Sequence, residues 1–259
     1  MASEISPKAE ISPKAKIGDN CKIFPFAYIE DDVVIGDDCI IFPFVSICSG
    51  TRMGKRNKVH QGSVIGALPQ DFEFRGERSE CIIGDGNIIR ENVVINRATH
   101  TGGQTVIGNE NVLMEGAHIS HDTKVGDRCV FGYGTKIAGD CHIQDGVIFS
   151  SSVIANAKTR VGEGAMIQAG TTFSKDVPPY IICTKRSEYG GVNYTMGHYY
   201  GVDEKILKHI ANAYRLVFMG QTSVFDATNQ IEQQVPDSPE IQNIIHFLRS
   251  SELGIISKL

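Results

Sequence analysis

The chain lacks the sequence features of nucleic-acid-binding and secreted proteins. Lys and Arg number 25 against 30 Asp and Glu, which gives a net charge of −5, and the basic residues form no stripe. An acidic chain of this kind lacks the electrostatic footprint that a phosphate backbone requires, so nucleic acid is not an expected partner. Residues Met1 to Glu10 contain no apolar run. We therefore expect neither a signal peptide nor a membrane span, and we expect a cytoplasmic location.

The sequence does contain a six-residue repeat of aliphatic residues. Eleven consecutive sixth positions carry one: Ile5, Ile11, Ile17, Ile23, Ile29, Ile35, Ile41, Ile47, Met53, Val59 and Ile65. A period of six fits neither the 3.6-residue period of an α-helix nor the two-residue period of a strand. It is typical of a solenoid in which each hexad supplies one short strand and a corner, and three hexads close a triangular coil. The aliphatic residues are predicted to point into the bore.

A second position of the hexad, four residues after each aliphatic, carries mostly small side chains. Five of the seven cysteines fall there: Cys21, Cys39, Cys81, Cys129 and Cys141. Small side chains suit a crowded interior corner, so we interpret these cysteines as packing residues. Metal-ligand spacing such as C-x-x-C does not occur, and disulfides are not expected.

The repeat resumes at Ile83 and runs to Phe173, with interruptions. Asp71, Glu77 and Thr101 occupy slots where an apolar residue is due, within residues 67–80 and 96–105. We predict that these two segments are loops extruded from the coil. Because the smooth faces of a solenoid offer no pocket, the loops are where a substrate site is expected.

The chain changes character after the repeat ends at Phe173. Capping and periodicity signals then predict three helices: one from Asp203 to Gly220, a weaker one between Val224 and Val235, and one beginning at Ser238. We therefore assign residues 1–190 to a mainly β solenoid domain and residues 191–259 to a small α-helical C-terminal domain.

The segment from Ala117 to Asp122 concentrates polar chemistry on one strand and corner. Ile119 points into the bore, so His118 and His121 are predicted to project outward. One interpretation is a general base with Asp122 as its orienting partner, since histidine can take up a proton near neutral pH. A second is a pair of zinc ligands. A third is a solvated coil edge without a function.

An ordered set of motifs carries a family resemblance over nearly the whole chain. The motifs are Gln70-Asp71, Ile89 to Val93, Asn96-Arg97, Leu113 to Asp122, Asp176 to Tyr180, Gly191-Val192-Asn193 and Asn212 to Leu216. Together they resemble the acyl-carrier-protein-dependent UDP-N-acetylglucosamine O-acyltransferases of lipid A biosynthesis. The resemblance implies a left-handed parallel β-helix, a homotrimer with sites between subunits, and no metal or dissociable cofactor.

The resemblance also implies a reaction and a set of site residues. A 3-hydroxyacyl group would pass from acyl carrier protein to the 3-hydroxyl of UDP-N-acetylglucosamine without a covalent enzyme intermediate. His121 matches the general base, Asp122 its orienting partner, and the backbone N–H of Gly139 the oxyanion position. The matches to substrate-binding residues are Gln70, Asp71, His118 and Asn193. The matches to residues along the acyl groove are Met114, Met166 and Ala169, and Ala169 marks the chain-length limit.

Several positions depart from the family's motifs. Gln-Asp-Leu-Lys reads Gln70-Asp71-Phe72-Glu73, which replaces a substrate-binding cation with an anion. Ala-Gly-His reads Ala138-Gly139-Asp140, and His-Gln-Phe-Cys reads Asn156-Ala157-Lys158-Thr159. The segment whose arginines hold the nucleotide reads Gly197-His198-Tyr199-Tyr200. Loss of bidentate guanidinium contacts predicts altered nucleotide binding.

Three functions are compatible with these residues. The first is acyl transfer to UDP-N-acetylglucosamine, which we take as the prediction. The second retains acyl transfer but changes the acceptor, to an amino-sugar nucleotide or to another alcohol or amine. The third is a non-catalytic protein that binds a carrier protein, an acyl group or another trimer. Carbonic-anhydrase-like chemistry would need three convergent metal histidines, and only His118 and His121 are placed together.

Overall fold

Each hexad of the repeat forms a strand of mostly two residues and a corner, and three hexads complete one coil. A computed structural model describes residues 2–195 and 201–258 of the chain. The coils stack as a left-handed parallel β-helix in which residues eighteen apart pair in register, such as Lys22 with Ile40 and Tyr28 with Ser46. The predicted solenoid is therefore confirmed, and insertions lengthen the spacing only where loops leave the coil.

Three sheets form the faces of the triangular prism, which we call faces A, B and C. Face A contains β1 (Glu4–Ile5), β4 (Lys22–Ile23), β7 (Ile40–Ile41), β10 (Lys58–Val59), β13 (Ile88–Ile89), β16 (Val112–Leu113), β19 (Val130–Phe131), β22 (Ile148–Phe149), β25 (Met166–Ile167), β27 (Ile181–Cys183), β28 (Glu188–Val192) and β29 (Ser257–Lys258). Face B contains β2 (Glu10–Ile11), β5 (Tyr28–Ile29), β8 (Ser46–Ile47), β11 (Val64–Ala67), β14 (Val94–Asn96), β17 (His118–Ile119), β20 (Lys136–Ile137), β23 (Ile154–Ala155) and β26 (Thr172–Phe173). Face C contains β3 (Lys16–Ile17), β6 (Val34–Ile35), β9 (Thr51–Met53), β12 (Glu80–Ile83), β15 (Gln104–Ile107), β18 (Lys124–Val125), β21 (His142–Ile143) and β24 (Arg160–Val161).

The apolar residues of the repeat fill the bore, as predicted. From Ile23 to Phe173 the in-register apolar side chains are at most 4% exposed. Burying one aliphatic side chain of this size contributes about 1.5–3 kcal/mol to folding. Ile5 in the first coil is instead 47% exposed, because it has a neighbouring coil on one side only.

The small-residue position has a more varied content than expected. Buried cysteines there donate thiol hydrogen bonds to carbonyls of the next coil, as Cys39 does to Gly54 at 3.2 Å. In the middle coils the position holds fully buried asparagines. The Asn87 amide oxygen accepts from the Asn111 N–H at 2.9 Å, and its amide nitrogen donates to Gly108 O at 3.0 Å. Each asparagine thus satisfies backbone groups of an adjacent coil, which removes the cost of burying an amide.

The chain leaves the coil at both interrupted segments. Residues 68–79 lie between β11 and β12, and residues 97–103 lie between β14 and β15. We call these segments loop 1 and loop 2. Both emerge from the corner that follows face B, so they lie beside each other at one edge of the prism.

Three helices follow the coil: α1 (Glu204–Met219), α2 (Val224–Gln234) and α3 (Pro239–Arg249). The predicted caps are confirmed, since Asp203 accepts from the Lys205 N–H and Gly220 ends α1. Ser238 caps α3 in the same way. None of the helices among the described residues combines the length and the apolar character needed to cross a membrane.

The helices pack against the last coils. The Tyr214 hydroxyl donates to Pro179 O at 2.6 Å, and both residues are buried. β28 pairs antiparallel with β27, and β29 pairs parallel with β28. The expected domain boundary after residue 190 therefore lies within a strand that extends face A.

Candidate active site

Three consecutive coils place equivalent residues at the corner after face B. His121, Gly139 and Ala157 each come two residues after a strand, and those strands pair in register through His118, Lys136 and Ile154. The three residues therefore stack along one edge of the prism. Loop 2 emerges from the same edge one coil before His121 and loop 1 two coils before it, so both loops lie beside this stack.

Two oxygens, from Asp122 and Thr99, contact the same ring nitrogen of His121. Its Nδ1 lies 2.9 Å from Asp122 Oδ2 and 3.0 Å from the Thr99 hydroxyl. The side chain is only 11% exposed. Both histidines were expected to project outward, and both do lie outside the bore, but the loops cover them.

The tautomer of His121 follows from these contacts. A carboxylate accepts hydrogen bonds only, so Nδ1 must carry the proton that it shares with Asp122. The other ring nitrogen, Nε2, is then unprotonated in the neutral ring. It is the nitrogen that can take up a proton from a ligand.

Gly139 lies directly against the imidazole ring of His121. A Cβ at position 139 would be 2.5 Å from His121 Cε1 and 2.7 Å from Nε2. Real Cβ atoms do not approach other atoms so closely, so the ring can occupy this position only above a glycine. The reason for glycine here is therefore the close approach of His121.

The backbone N–H of Gly139 is open toward the same side. At the corner after face C, the N–H at the matching position is capped in two coils by an aspartate of the next coil: Asp37 caps Asp19 at 3.0 Å and Asp127 caps Asn109 at 2.7 Å. One coil after Gly139 the corresponding residue is Ala157, which has no acceptor. Among residues 2–195 and 201–258, no hydrogen-bond acceptor is recorded for the Gly139 N–H.

A surface cavity of about 280 Å³ opens over this stack. Its lining residues are Asp71, Glu73, Thr99, His100, His121, Asp122, Gly139, Asp140, Ala157 and Lys158. Asp71, from loop 1, places Oδ2 3.4 Å from His121 Nε2. Four carboxylates and one lysine therefore line the cavity.

His118 lies beside this cavity without lining it. Its Nε2 is 2.7 Å from Asn96 Oδ1, and Asn96 donates from Nδ2 to Leu68 O at 2.6 Å. Burial, with smaller effects from the charges of Lys136 and His121, lowers the pKa of His118. The neutral ring thus joins β17 to the start of loop 1. Within the described part of the chain, no three potential ligands are grouped to hold a metal ion.

The remaining predicted site residues are more widely distributed. Gln70 is exposed on loop 1 next to Asp71, whereas Asn193 is 1% exposed and donates from its amide to Gly164 O at 2.9 Å. Met114, Met166 and Ala169 lie on face A or at the corner after it, not at the corner of His121. Among the family-divergent positions, Asn156 is exposed and Asp140 and Ala157 line the cavity. Tyr199 and Tyr200 lie outside the described residues.

Two cavity residues, Thr99 and His100, were not identified from the sequence. Thr99 lies in loop 2, where the hexad register gives no assignment, although its position between Asn96-Arg97 and Thr101 could have suggested it. His100 follows Thr99 in the same loop. Both were hidden because the repeat predicts interior residues and is silent on corner side chains.

Comparisons with known proteins identify relatives over nearly the whole chain. A model of the bacterial transferase hexapeptide matches residues 14–41, 32–67 and 104–139, and a model described as domain 2 of UDP-N-acetylglucosamine O-acyltransferase matches residues 176–256. An acyl-[acyl-carrier-protein]–UDP-N-acetylglucosamine O-acyltransferase from Chlorobaculum parvum is 41% identical over 97% of this chain and 96% of its own length. A protein of the same name from Syntrophobacter fumaroxidans is 32% identical over 98% and 99%.

Solved structures give the same result. The crystal structure of a UDP-N-acetylglucosamine acyltransferase from Bacteroides fragilis is 47% identical in sequence, with a TM-score of 0.95 over 97% of this chain and 99% of that one. A UDP-N-acetylglucosamine acyltransferase from Francisella novicida is 31% identical, with a TM-score of 0.94 over 98% and 94%.

Proposed function

The chain belongs to the acyl-[acyl-carrier-protein]–UDP-N-acetylglucosamine O-acyltransferase family, and on that premise we propose how its residues carry out the reaction. It transfers a 3-hydroxyacyl group from the thioester of acyl carrier protein to the 3-hydroxyl of UDP-N-acetylglucosamine, the first step of lipid A biosynthesis. The observation that carries the mechanism is the placement of His121 Nε2 beside the open N–H of Gly139.

His121 acts as the general base. Its Nδ1–H donates to Asp122, which leaves Nε2 free to remove the proton of the sugar hydroxyl as the oxygen attacks the thioester carbon. A positioned base of this kind contributes about 10² to 10⁴ in rate. When His121 becomes an imidazolium ion, the Asp122 carboxylate stabilises its charge.

Gly139 stabilises the tetrahedral intermediate. Attack converts the thioester carbonyl into an oxyanion, and an oriented backbone N–H that faces this oxygen contributes about 3 kcal/mol to the transition state. The caps at Asp19 and Asn109 support this role, since the N–H at the matching position of the corner after face C binds carboxylate oxygens at 2.7–3.0 Å. Collapse of the intermediate breaks the C–S bond, and the proton on His121 passes to the departing thiolate.

Loop 1 contributes contacts to the sugar. Asp71 Oδ2 lies 3.4 Å from His121 Nε2, so a sugar that presents one hydroxyl to the histidine can donate a second hydroxyl to Asp71. Gln70 lies in the same loop, beside Asp71, and is exposed. We assign His118 to the support of this loop through Asn96, and this chemistry requires no metal or dissociable cofactor.

We propose that the protein acts as a homotrimer. His121 lies at the corner after face B, whereas the acyl-groove residues Met114, Met166 and Ala169 lie on or after face A. Six residues of extended chain separate these corners, up to about 20 Å. A site that contains both sets therefore uses face A of a second subunit.

The outward residues of face A support this assembly. Six of them, on strands of consecutive coils, are apolar and at most partly buried: Ile88, Val112, Val130, Ile148, Met166 and Ile182. A partly exposed apolar stripe of this length marks an interaction surface. In the trimer Asn193 fixes the last coil through Gly164, at the nucleotide side of the site. We retain the cytoplasm as the proposed location.

The reaction can be tested directly. Purified protein is incubated with UDP-N-acetylglucosamine and 3-hydroxyacyl carrier proteins of several chain lengths, and the acylated nucleotide is measured by mass spectrometry. We expect product from the wild type, a loss of at least 10²-fold in His121→Ala, and unchanged turnover in His246→Ala, which removes an exposed histidine of α3. Absence of product with every donor, in a protein that is folded and trimeric, contradicts the proposed function.

A further inference from the structure

Loop 2 contributes one residue that contacts both members of the His121–Asp122 pair. Thr99 is 2% exposed, and its hydroxyl lies 3.0 Å from His121 Nδ1. Its backbone N–H lies 3.3 Å from Asp122 Oδ1 and 3.1 Å from Oδ2. The pair therefore rests on a third residue from a different coil.

The position of Thr99 is fixed by contacts on both sides. The Ser79 hydroxyl donates to Ala98 O, and the Gly102 N–H donates to Arg78 O at 2.9 Å. Both contacts join loop 2 to the end of loop 1. Asp122 is fixed as well, since its N–H donates to the Thr105 hydroxyl at 2.8 Å. Thr99 thus approaches the pair from a braced backbone rather than from a free loop.

Counting protons at Nδ1 shows what the hydroxyl does. One N–H faces two oxygens, Asp122 Oδ2 and Thr99 Oγ1, and it can be shared between them. If the ring flipped by 180°, the carbon Cδ2 would face both oxygens and both hydrogen bonds would be lost. The two acceptors together therefore select one ring orientation and one tautomer.

We propose that Thr99 is a positioning residue for the general base, which rests on the proposed function of His121. The threonine hydroxyl fixes the imidazole ring with Nδ1 protonated and Nε2 directed at the acceptor hydroxyl. Its N–H holds the Asp122 carboxylate in the plane that the ring requires. Thr99 acts through these two residues.

Two substitutions separate the hydroxyl from the backbone contact. Thr99→Val keeps the shape and the N–H but removes the hydroxyl, whereas Thr99→Ser keeps the hydroxyl. Loss of a neutral hydrogen bond corresponds to about a tenfold change in rate. We therefore expect kcat to fall about tenfold in Thr99→Val and less than about threefold in Thr99→Ser, with KM for UDP-N-acetylglucosamine unchanged. Thr101→Val, at an exposed position of the same loop, is the matched control.

A pH profile and a spectrum distinguish positioning from general damage. The hydroxyl accepts from Nδ1–H and so favours the imidazolium, and its loss should move the acid limb of the kcat/KM profile to lower pH in Thr99→Val. Nitrogen NMR of His121 should show the Nδ1–H tautomer in the wild type and a mixture in Thr99→Val. Unchanged tautomer and kcat in Thr99→Val overturn the proposal.

The NMR measurement does not depend on turnover. If the wild type transfers no acyl group, the proposed function fails, while the tautomer comparison still decides whether Thr99 orients the ring. If the wild type is active and Thr99→Ser loses as much as Thr99→Val, the hydroxyl is not the cause and the inference fails.

Discussion

Replacement of Gly139 by alanine tests whether catalysis depends on where the His121 ring lies. A Cβ at this position would be 2.5 Å from Cε1 and 2.7 Å from Nε2, whereas carbon atoms pack at about 3.5–4.0 Å. The ring must therefore move by about 1 Å from the position in which it contacts Asp122 and Thr99. A displacement of this size at a reacting group costs about 10²-fold in rate, or about 2.7 kcal/mol of barrier.

The backbone itself can accommodate the new side chain. Gly139 does not have a positive φ, and Ala157 occupies the same corner position one coil later. The effect should therefore appear in kcat and only slightly in stability. Thermal unfolding midpoints of the wild type and Gly139→Ala, measured at equal concentration, check this point.

A double-mutant cycle with His121→Ala isolates the cause. The acyl-transfer assay is run on the wild type, both single variants and the double variant, with kcat as the readout. Gly139→Ala should lower kcat about 10²-fold when the ring is present and should have no effect in the His121→Ala background. Equal losses in both backgrounds would refute ring displacement and point to the backbone, and activity within about threefold of wild type would refute the need for an undisturbed His121.

Three further predictions concern the cavity and its surroundings. Ala157→Asp should cap the Gly139 N–H as Asp37 caps Asp19, and should therefore lower kcat by about 10² to 10³. Ala157→Ser, the control, should not lower kcat. Full activity in Ala157→Asp would show that the Gly139 N–H is not the oxyanion donor. Glu73→Lys should lower KM for UDP-N-acetylglucosamine about two- to fivefold, because it replaces an exposed negative charge beside the negatively charged diphosphate with a positive one. An unchanged KM would place the diphosphate elsewhere. Burial keeps the pKa of His118 below its usual value, so below about pH 6.5 the unfolded chain binds a proton that the folded chain does not, and the free energy of unfolding falls as pH falls. In denaturant titrations the free energy of unfolding should fall less in His118→Gln than in the wild type between pH 7 and 5.5. An equal fall in both proteins would contradict the role assigned to His118.

The hexad was sufficient to predict the fold because it encodes a single geometric fact, which side chain of each coil faces inward. Every in-register apolar residue from Ile23 onward is buried. The helices were predictable for another reason, since Asp203 and Ser238 are local capping signals. Asn87 and Asn111 show the limit of the pattern, because their burial depends on partners that only the stacking of coils brings into place.

The site was predictable only in part. His121, Asp122, Gly139 and Asp71 come together as the resemblance implied. Thr99 does not follow from the pattern, because the path of an extruded loop is determined by contacts such as that of Ser79 with Ala98 rather than by periodicity. The separation of the acyl-groove residues from His121 follows from counting hexads, and this separation is the basis of the proposed second subunit.

The proposed oxyanion donor, the Gly139 N–H, is free among the described residues because the next coil offers no side chain to cap it. Corners of the coil that carry a residue other than proline have a backbone N–H at this position, and buried or half-buried donors in proteins are normally paired. At Asp19 and Asn109 the pairing comes from an aspartate of the next coil. At Gly139 that position is Ala157, and the glycine admits the ring of His121 to the same space. In the part of the chain that the structure describes, Gly139 therefore presents an uncapped donor beside His121, the base that the two loops cover, and a donor beside a base is the condition that acyl transfer to a hydroxyl requires.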